Sequence, residues 1–137
     1  MPISDLAQLL KGLKPELNAG TFVFATLTPG NHVDIEDVIA LVREPEGVSI
    51  IIEEQKAVEL GLVSNFRCAW ITLTVNSDLH AIGLTAAFAS TLGQAGISCN
   101  VVAGANHDHI FVPVGQASMA INALEALQKH HARADTQ

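Results

Sequence analysis

Charge is scarce in this chain. Only 15% of its 137 residues are charged, against 49% apolar. So apolar a composition excludes an intrinsically disordered chain, which lacks the surface to bury. Long apolar runs are missing as well. Fully apolar stretches are short, as at Ile50-Ile51-Ile52, whereas a membrane-spanning helix needs roughly 20 residues. No basic start followed by an apolar block opens the chain, and Asp5 precedes any base, so a secretory leader is not expected and the cytoplasm is the expected location. Bases are in the minority: the net charge of −7 repels phosphate backbones and argues against a nucleic-acid partner. There are two cysteines, Cys68 and Cys99, too few for a disulfide framework. They read as free buried thiols, with a bridge between neighbouring strands left open. A glycine-rich phosphate loop is absent, because Gly93-Gln-Ala-Gly96 ends a helix instead of starting one. No Ser-His-Asp spacing or Cys-His pair stands out, so neither an enzyme nor a cofactor is expected, although a triad is set by geometry and not by spacing. A short chain with so few charges also predicts a surface partly covered by a partner, most simply another copy of itself.

What is present is a regular alternation of helix and strand signals. Residues 4–13 predict a short helix capped by Ser4, with Leu6, Leu9, Leu10 and Leu13 in one stripe. Residues 21–27 predict a strand, 28–31 a turn, and 38–42 fit either strand or helix. After a turn at 43–47 come a strand at 48–52 and a helix from 53 to 60 that ends at Gly61. In residues 68–75 Ile71, Leu73 and Val75 point one way and Trp70, Thr72 and Thr74 the other, the period of a strand. Asn76, Ser77 and Asp78 then read as the cap of a helix running to about Gln94. Strands at 97–104 and 109–114 follow, then a helix from 115 to 129 with Ala117, Ala120, Ile121, Leu124 and Leu127 inward, and a polar tail expected to fray after His130. Around the central helix Ile82, Ala86, Ala89 and Gly93 share one face and Leu84, Phe88 and Leu92 the opposite one. A helix so apolar around its girth predicts two covers. The small residues predict the face nearest the sheet, and the other half of the chain or another subunit would cover the second.

The first half thus reads α-β-(β)-β-α and the second β-α-β-β-α, a shared rhythm with little identity. Two half-modules are expected, 1–64 and 65–137, sharing one core.

Residues 72–100, a strand, a polar loop, Gly83 near a helix start, Leu92, and the step Ala95-Gly-Ile-Ser-Cys-Asn100, resemble the first strand, loop, helix and second strand of an ACT domain, as in the regulatory modules of aspartate kinases. Arg43-Glu-Pro-Glu-Gly47, Gly83-Leu-Thr-Ala-Ala-Phe88 and His107-Asp-His-Ile-Phe-Val112 extend the resemblance to small stand-alone bacterial proteins with tandem ACT-like modules. The resemblance covers most of 15–127. It implies an α+β, ferredoxin-like βαββαβ topology, amino-acid binding, and homodimers or homotetramers that regulate a separate protein. One departure stands out: no strand-like run follows the last helix, where an ACT domain has its fourth strand. The strand at 21–27 is expected to fill that place.

An amino-acid ligand needs backbone N–H groups for its carboxylate and oxygens for its ammonium. A loop entering a helix N-terminus supplies the first. The candidate ligand-binding residues are therefore Asn76, Ser77 and Asp78, with Leu79 and Gly83 in the same loop, and Asn100, which the resemblance places across a dimer interface. A second constellation is His107-Asp108-His109. Residues two apart in a strand share a face, which would let both imidazoles hold one metal, but a third ligand is wanting: His80 is a candidate that nothing in the sequence brings near. The bland alternative is a turn in which Asp108 bonds to nearby backbone. Trp70, the sole tryptophan, reads as a core or interface anchor. Two other functions stand beside amino-acid regulation: an interaction module that has lost its ligand, and a small metal-dependent enzyme built on His107, Asp108 and His109.

Overall fold

The computed structural model describes residues 5–74 and 79–134. Helix α1 (Leu6–Lys11) starts on Asp5, whose side chain accepts from the Gln8 N–H at 3.1 Å. The cap is thus Asp5 and not Ser4, which lies outside the described residues. The strands are β1 (Pro15–Leu27), β2 (Val38–Glu44), β3 (Gly47–Glu53), β4 (Ser64–Leu73), β5 (Asn100–Ala103) and β6 (Asp108–Pro113). The other α-helices are α2 (Glu54–Glu59), α3 (Leu84–Gln94) and α4 (Ala117–Ala134).

All six strands join one antiparallel sheet in the order β2-β3-β1-β4-β6-β5. β1 and β4 form its centre, with Phe22 opposite Cys68 and Leu17 opposite Ile71. Residues 21–27 therefore lie beside β4, the place where a fourth ACT strand would stand, and β4 returns the same service to β1. β1 begins six residues earlier than its composition suggests. Gly20 does not end it: with φ of 111° the glycine takes a left-handed conformation inside the strand, and the ladder shifts register between Asn18 and Phe22. It is a bulge, which glycine accommodates without a Cβ penalty. Pro15 sits at the first strand position, where its missing N–H does no harm.

Every α-helix packs on one face of the sheet. Leu9, Leu10 and Leu13 of α1 and its following turn, Leu84, Phe88 and Leu92 of α3, and Ala120 and Leu124 of α4 bury against Ile71, Leu73 and Ile110. α2 covers a smaller cluster on the same face, Val23, Ala25, Ile50 and Ile52 with its own Ala57. Two expectations about α3 are overturned. It starts at Leu84 on Gly83, not at Asn76–Asp78, which lie outside the described residues. The large residues Leu84, Phe88 and Leu92 face the core, whereas Ile82 is 86% exposed and Ala86 and Gly93 are exposed too. The larger side chains gain more by leaving water, and that decides the rotation. The tail expected to fray after His130 instead continues α4 to Ala134.

Among the described residues the opposite face carries no α-helix, yet it is not flat. Phe22, Ile51, Cys68 and Phe111 are buried there, with Phe24, Phe66, Trp70 and Val102 packed around them. Ile39 of β2 and Val102 of β5 line the same cavity although they belong to opposite edges of the sheet. Five strand spacings of about 4.8 Å would hold flat edges roughly 24 Å apart. The sheet is coiled, and this face is its concave interior.

Candidate functional site

Two regions hold the residues singled out from the sequence. The first is the entry to α3. Asn76, Ser77 and Asp78 lie outside the described residues. Leu79 follows in a turn and is 67% exposed. Gly83 has φ of 98° and serves as N-cap with no side chain of its own to satisfy the first turn of α3. The positive φ is what requires glycine there, whereas a Cβ at Gly83, 2.9 Å from Leu6 Cδ2, would be met by a shift of that flexible side chain. Asn100 is elsewhere. It pairs with Phe111, whereas the end of β4 at Leu73 faces Asp108, three residues further along β6. Asn100 lines an open cleft of about 380 Å³ with Phe24, Ser49, Phe66 and Ser98. One chain therefore does not bring Asn100 to the α3 entry.

The second region is the concave face. Thr72, His109 and Val102 are ladder partners across β4, β6 and β5, and Trp70 pairs with Phe111. A polar chain runs across them. Asn18 Nδ2 donates to the Trp70 carbonyl at 3.2 Å and to Thr72 Oγ1 at 2.9 Å. Trp70 Nε1 donates to His109 Nδ1 at 3.0 Å, and Thr72 Oγ1 lies 3.2 Å from the same nitrogen. An indole N–H can only donate, so His109 Nδ1 is an acceptor and the neutral ring carries its proton on Nε2. Burial, reinforced by the nearby His107 and opposed by Asp108, holds the His109 pKa below its ordinary 6.5. The Cys68 thiol in the same buried layer is pushed up to about 12 by burial, and Cys99 upward too. Both cysteines are free and protonated at neutral pH, poor nucleophiles.

This geometry bears on the metal and enzyme alternatives. Asp108 is buried and pairs with Leu73 of the core face, while its neighbour His109 pairs with Thr72 of the concave face. Adjacent strand residues point to opposite sides, so Asp108 and His109 do not converge on one substrate. His109 Nδ1 is already engaged, and among the described residues no group of three His, Cys, Asp or Glu side chains is placed to hold a metal ion. The sequence reading missed the Asn18–Thr72–His109–Trp70 chain. Its only signal was that Trp70 and Thr72 share a face of β4, and no spacing says which residue of β6 or β1 stands opposite.

The His109 arrangement predicts a pH dependence of stability. With its folded-state pKa depressed, the folded chain prefers the neutral ring. That stability is fully present above about pH 6.5 and is lost as pH falls through the lower folded value. Asp108 acts with the opposite sign in a more acidic window. Burial raises its pKa above 3.8, against the pull of His109, so its penalty is felt above that range and is relieved on acidification. Urea unfolding between pH 7 and 5 should show falling stability in the native chain and a flatter profile in His109→Asn, which cannot titrate. Equal slopes in both would assign the loss to other groups.

One model of the ACT domain family matches residues 1–69 and another matches 65–126. A protein of unknown function from Vibrio cholerae, described as a possible transport protein, is 44% identical with a TM-score of 0.76, over 90% of this chain and 95% of that one. A protein from Agobacterium tumefaciens is 16% identical with a TM-score of 0.66, over 85% and 89% of the two chains. The regulatory subunit of aspartate kinase from Thermus thermophilus is 11% identical with a TM-score of 0.56, over 82% and 95%. No curated protein matches the chain. No helix among the described residues is long and apolar enough to cross a membrane. Two consecutive family matches, and a close relative matched over nearly its whole length, lead to one conclusion: the chain belongs to the ACT domain family.

Proposed function

We propose that this chain is a regulatory protein of two half-modules, 1–64 and 65–137, that binds an amino acid and works as a cytoplasmic homodimer or homotetramer on a separate target protein. The observation that carries the ligand site is the start of α3. Its N-cap is a glycine in a left-handed conformation, which offers no side chain of its own to the first turn. The N–H groups at the positive end of an eleven-residue helix suit a carboxylate. Asp78, with Asn76 and Ser77, supplies oxygens for the ammonium, and Leu79 and Gly83 complete the loop. Asn100 reaches the ligand from a second copy, since within one chain it lies on another cleft.

The experiment is thermal unfolding of the isolated protein with each of the twenty amino acids. A cognate ligand at a hundred times its Kd adds about 2.7 kcal/mol, which for a chain of this size raises Tm by several degrees. If none of the twenty moves Tm, the ligand reading fails. The second reading, an interaction module that keeps the fold without a ligand, then takes its place. It is supported by the exposure of Leu79 and Ile82 beside the same loop, an apolar pair suited to contact with a protein surface.

A further inference from the structure

We propose that the cavity on the concave face is a second ligand site, selective for a small organic amine with an apolar body and without a carboxylate. The cavity measures about 280 Å³ and is walled by Ile39, Trp70, Val102 and Phe111, with His109 in the wall and Glu36 contributing a carboxylate. At about 30 Å³ per water molecule, that is room for roughly ten non-hydrogen atoms.

Charge decides the ligand class. No Lys or Arg lines the cavity. Lys56 on the adjoining helix α2 is engaged by Asp37 at 3.5 Å and Glu59 at 3.9 Å. Glu36 is exposed and takes part in no ion pair among the described residues. His109 adds no positive charge, because the Trp70 N–H occupies its Nδ1. An ammonium entering this space meets an unpaired carboxylate and aromatic surface, both favourable to a cation. A ligand carboxylate would meet Glu36 and leave water with no base to receive it. An apolar body replaces water against Ile39, Val102 and the two aromatic rings. The site is distinct from the α3 entry, which lies on the helix-covered face. Because Ile39 and Val102 come from opposite edge strands, one bound molecule would tie together the two ends of the coiled sheet.

Trp70 is the only tryptophan of the chain, so its emission reports on this cavity directly. The test is a fluorescence titration with phenethylamine, phenylalanine and phenethyl alcohol, which share a ring and differ in charge. Phenethylamine should give a saturable change below about 10 mM, with phenylalanine and the alcohol at least about tenfold weaker. Glu36→Gln, at an exposed position that does not endanger folding, should bring the amine down to the level of the alcohol. Val102→Phe, which fills the cavity, should abolish saturable binding of the amine. The proposal is overturned if the native chain shows no saturable change with the amine, if phenylalanine binds as well as the amine and loses that binding in Val102→Phe, or if Glu36→Gln keeps the preference. The amine arms do not bear on the amino-acid reading, whose site needs the carboxylate that phenethylamine lacks, and a phenylalanine response that survives Val102→Phe belongs to that site and not to this cavity.

Discussion

Residues 65–137 expressed alone should not fold, and residues 1–64 added to them should restore a cooperative transition. The reason lies in the central strand pair. Without β1, the strand β4 becomes a sheet edge along most of its length, from its partner at Ala25 to its partner at Pro15. Cys68, buried with Phe22, and Phe111, in contact with Phe24, lose their cover. On the other face the fragment loses Leu9, Leu10 and Leu13, which pack on α3, α4 and the sheet. Burying three leucines is worth about 5–9 kcal/mol. That is comparable with the whole stability of a small protein, about 5–15 kcal/mol. A fragment that has lost such a term, together with its neighbouring strand, has little left to fold with. Far-ultraviolet circular dichroism and thermal scans of each fragment and of the equimolar mixture measure this. A cooperative unfolding transition in the lone second fragment would show that the two halves are independent domains.

That result bears on how far the sequence could be read. The order of helices and strands was legible because each has a local cause. Alternation at Trp70-Ile-Thr-Leu73 and the leucine stripe of α1 announce their elements without knowledge of the rest. The role of β1 was legible for a different reason: the fold implied by the resemblance lacked one strand, and the first-half strand at 21–27 was the one expected to supply it. What local pattern does not contain is a pairing between distant residues. Asn18 and Thr72 meet across 54 positions, through a bulge at Gly20 that reads in the sequence as a stop. The orientation of α3 was misjudged because both of its faces are apolar, and only the competition for burial between Phe88 and Ala86 settles which turns inward. The curl of the sheet, and with it the cavity between β2 and β5, depends on the twist summed over six strands. No single segment records it. The candidate loop was legible as chemistry, polar residues leading into a helix, but the helix starts only after Gly83 and its left-handed turn.

Phe111→Ala is the substitution that tests the coiled sheet, and it should cost about 3–5 kcal/mol, the range for emptying a buried phenylalanine site. Phe111 is fully buried although no α-helix among the described residues covers its face of the sheet. Its ring stacks on Trp70 at 6.4 Å and 18° and meets Phe24 edge-on at 5.7 Å and 85°. On an open sheet the neighbours of a truncated ring could settle toward solvent and limit the loss. Here the ladders of β4 and β5 hold the backbone on both sides of β6, so the void cannot collapse and the upper part of the range applies. Phe111→Leu keeps most of the volume and should cost less than about 1.5 kcal/mol. Urea unfolding gives both values, read from the midpoint with the slope checked for constancy. A loss near 1 kcal/mol for the alanine variant would mean that the face behaves as open surface, and the cavity between β2 and β5 would go with it. A double-mutant cycle with Trp70→Leu separates stacking from filling. Coupling of about 0.5–1.5 kcal/mol is expected for an aromatic pair in contact. Coupling near zero, with the large single-site loss retained, would assign the stability of the concave face to shape alone and leave Trp70 free to turn toward a ligand.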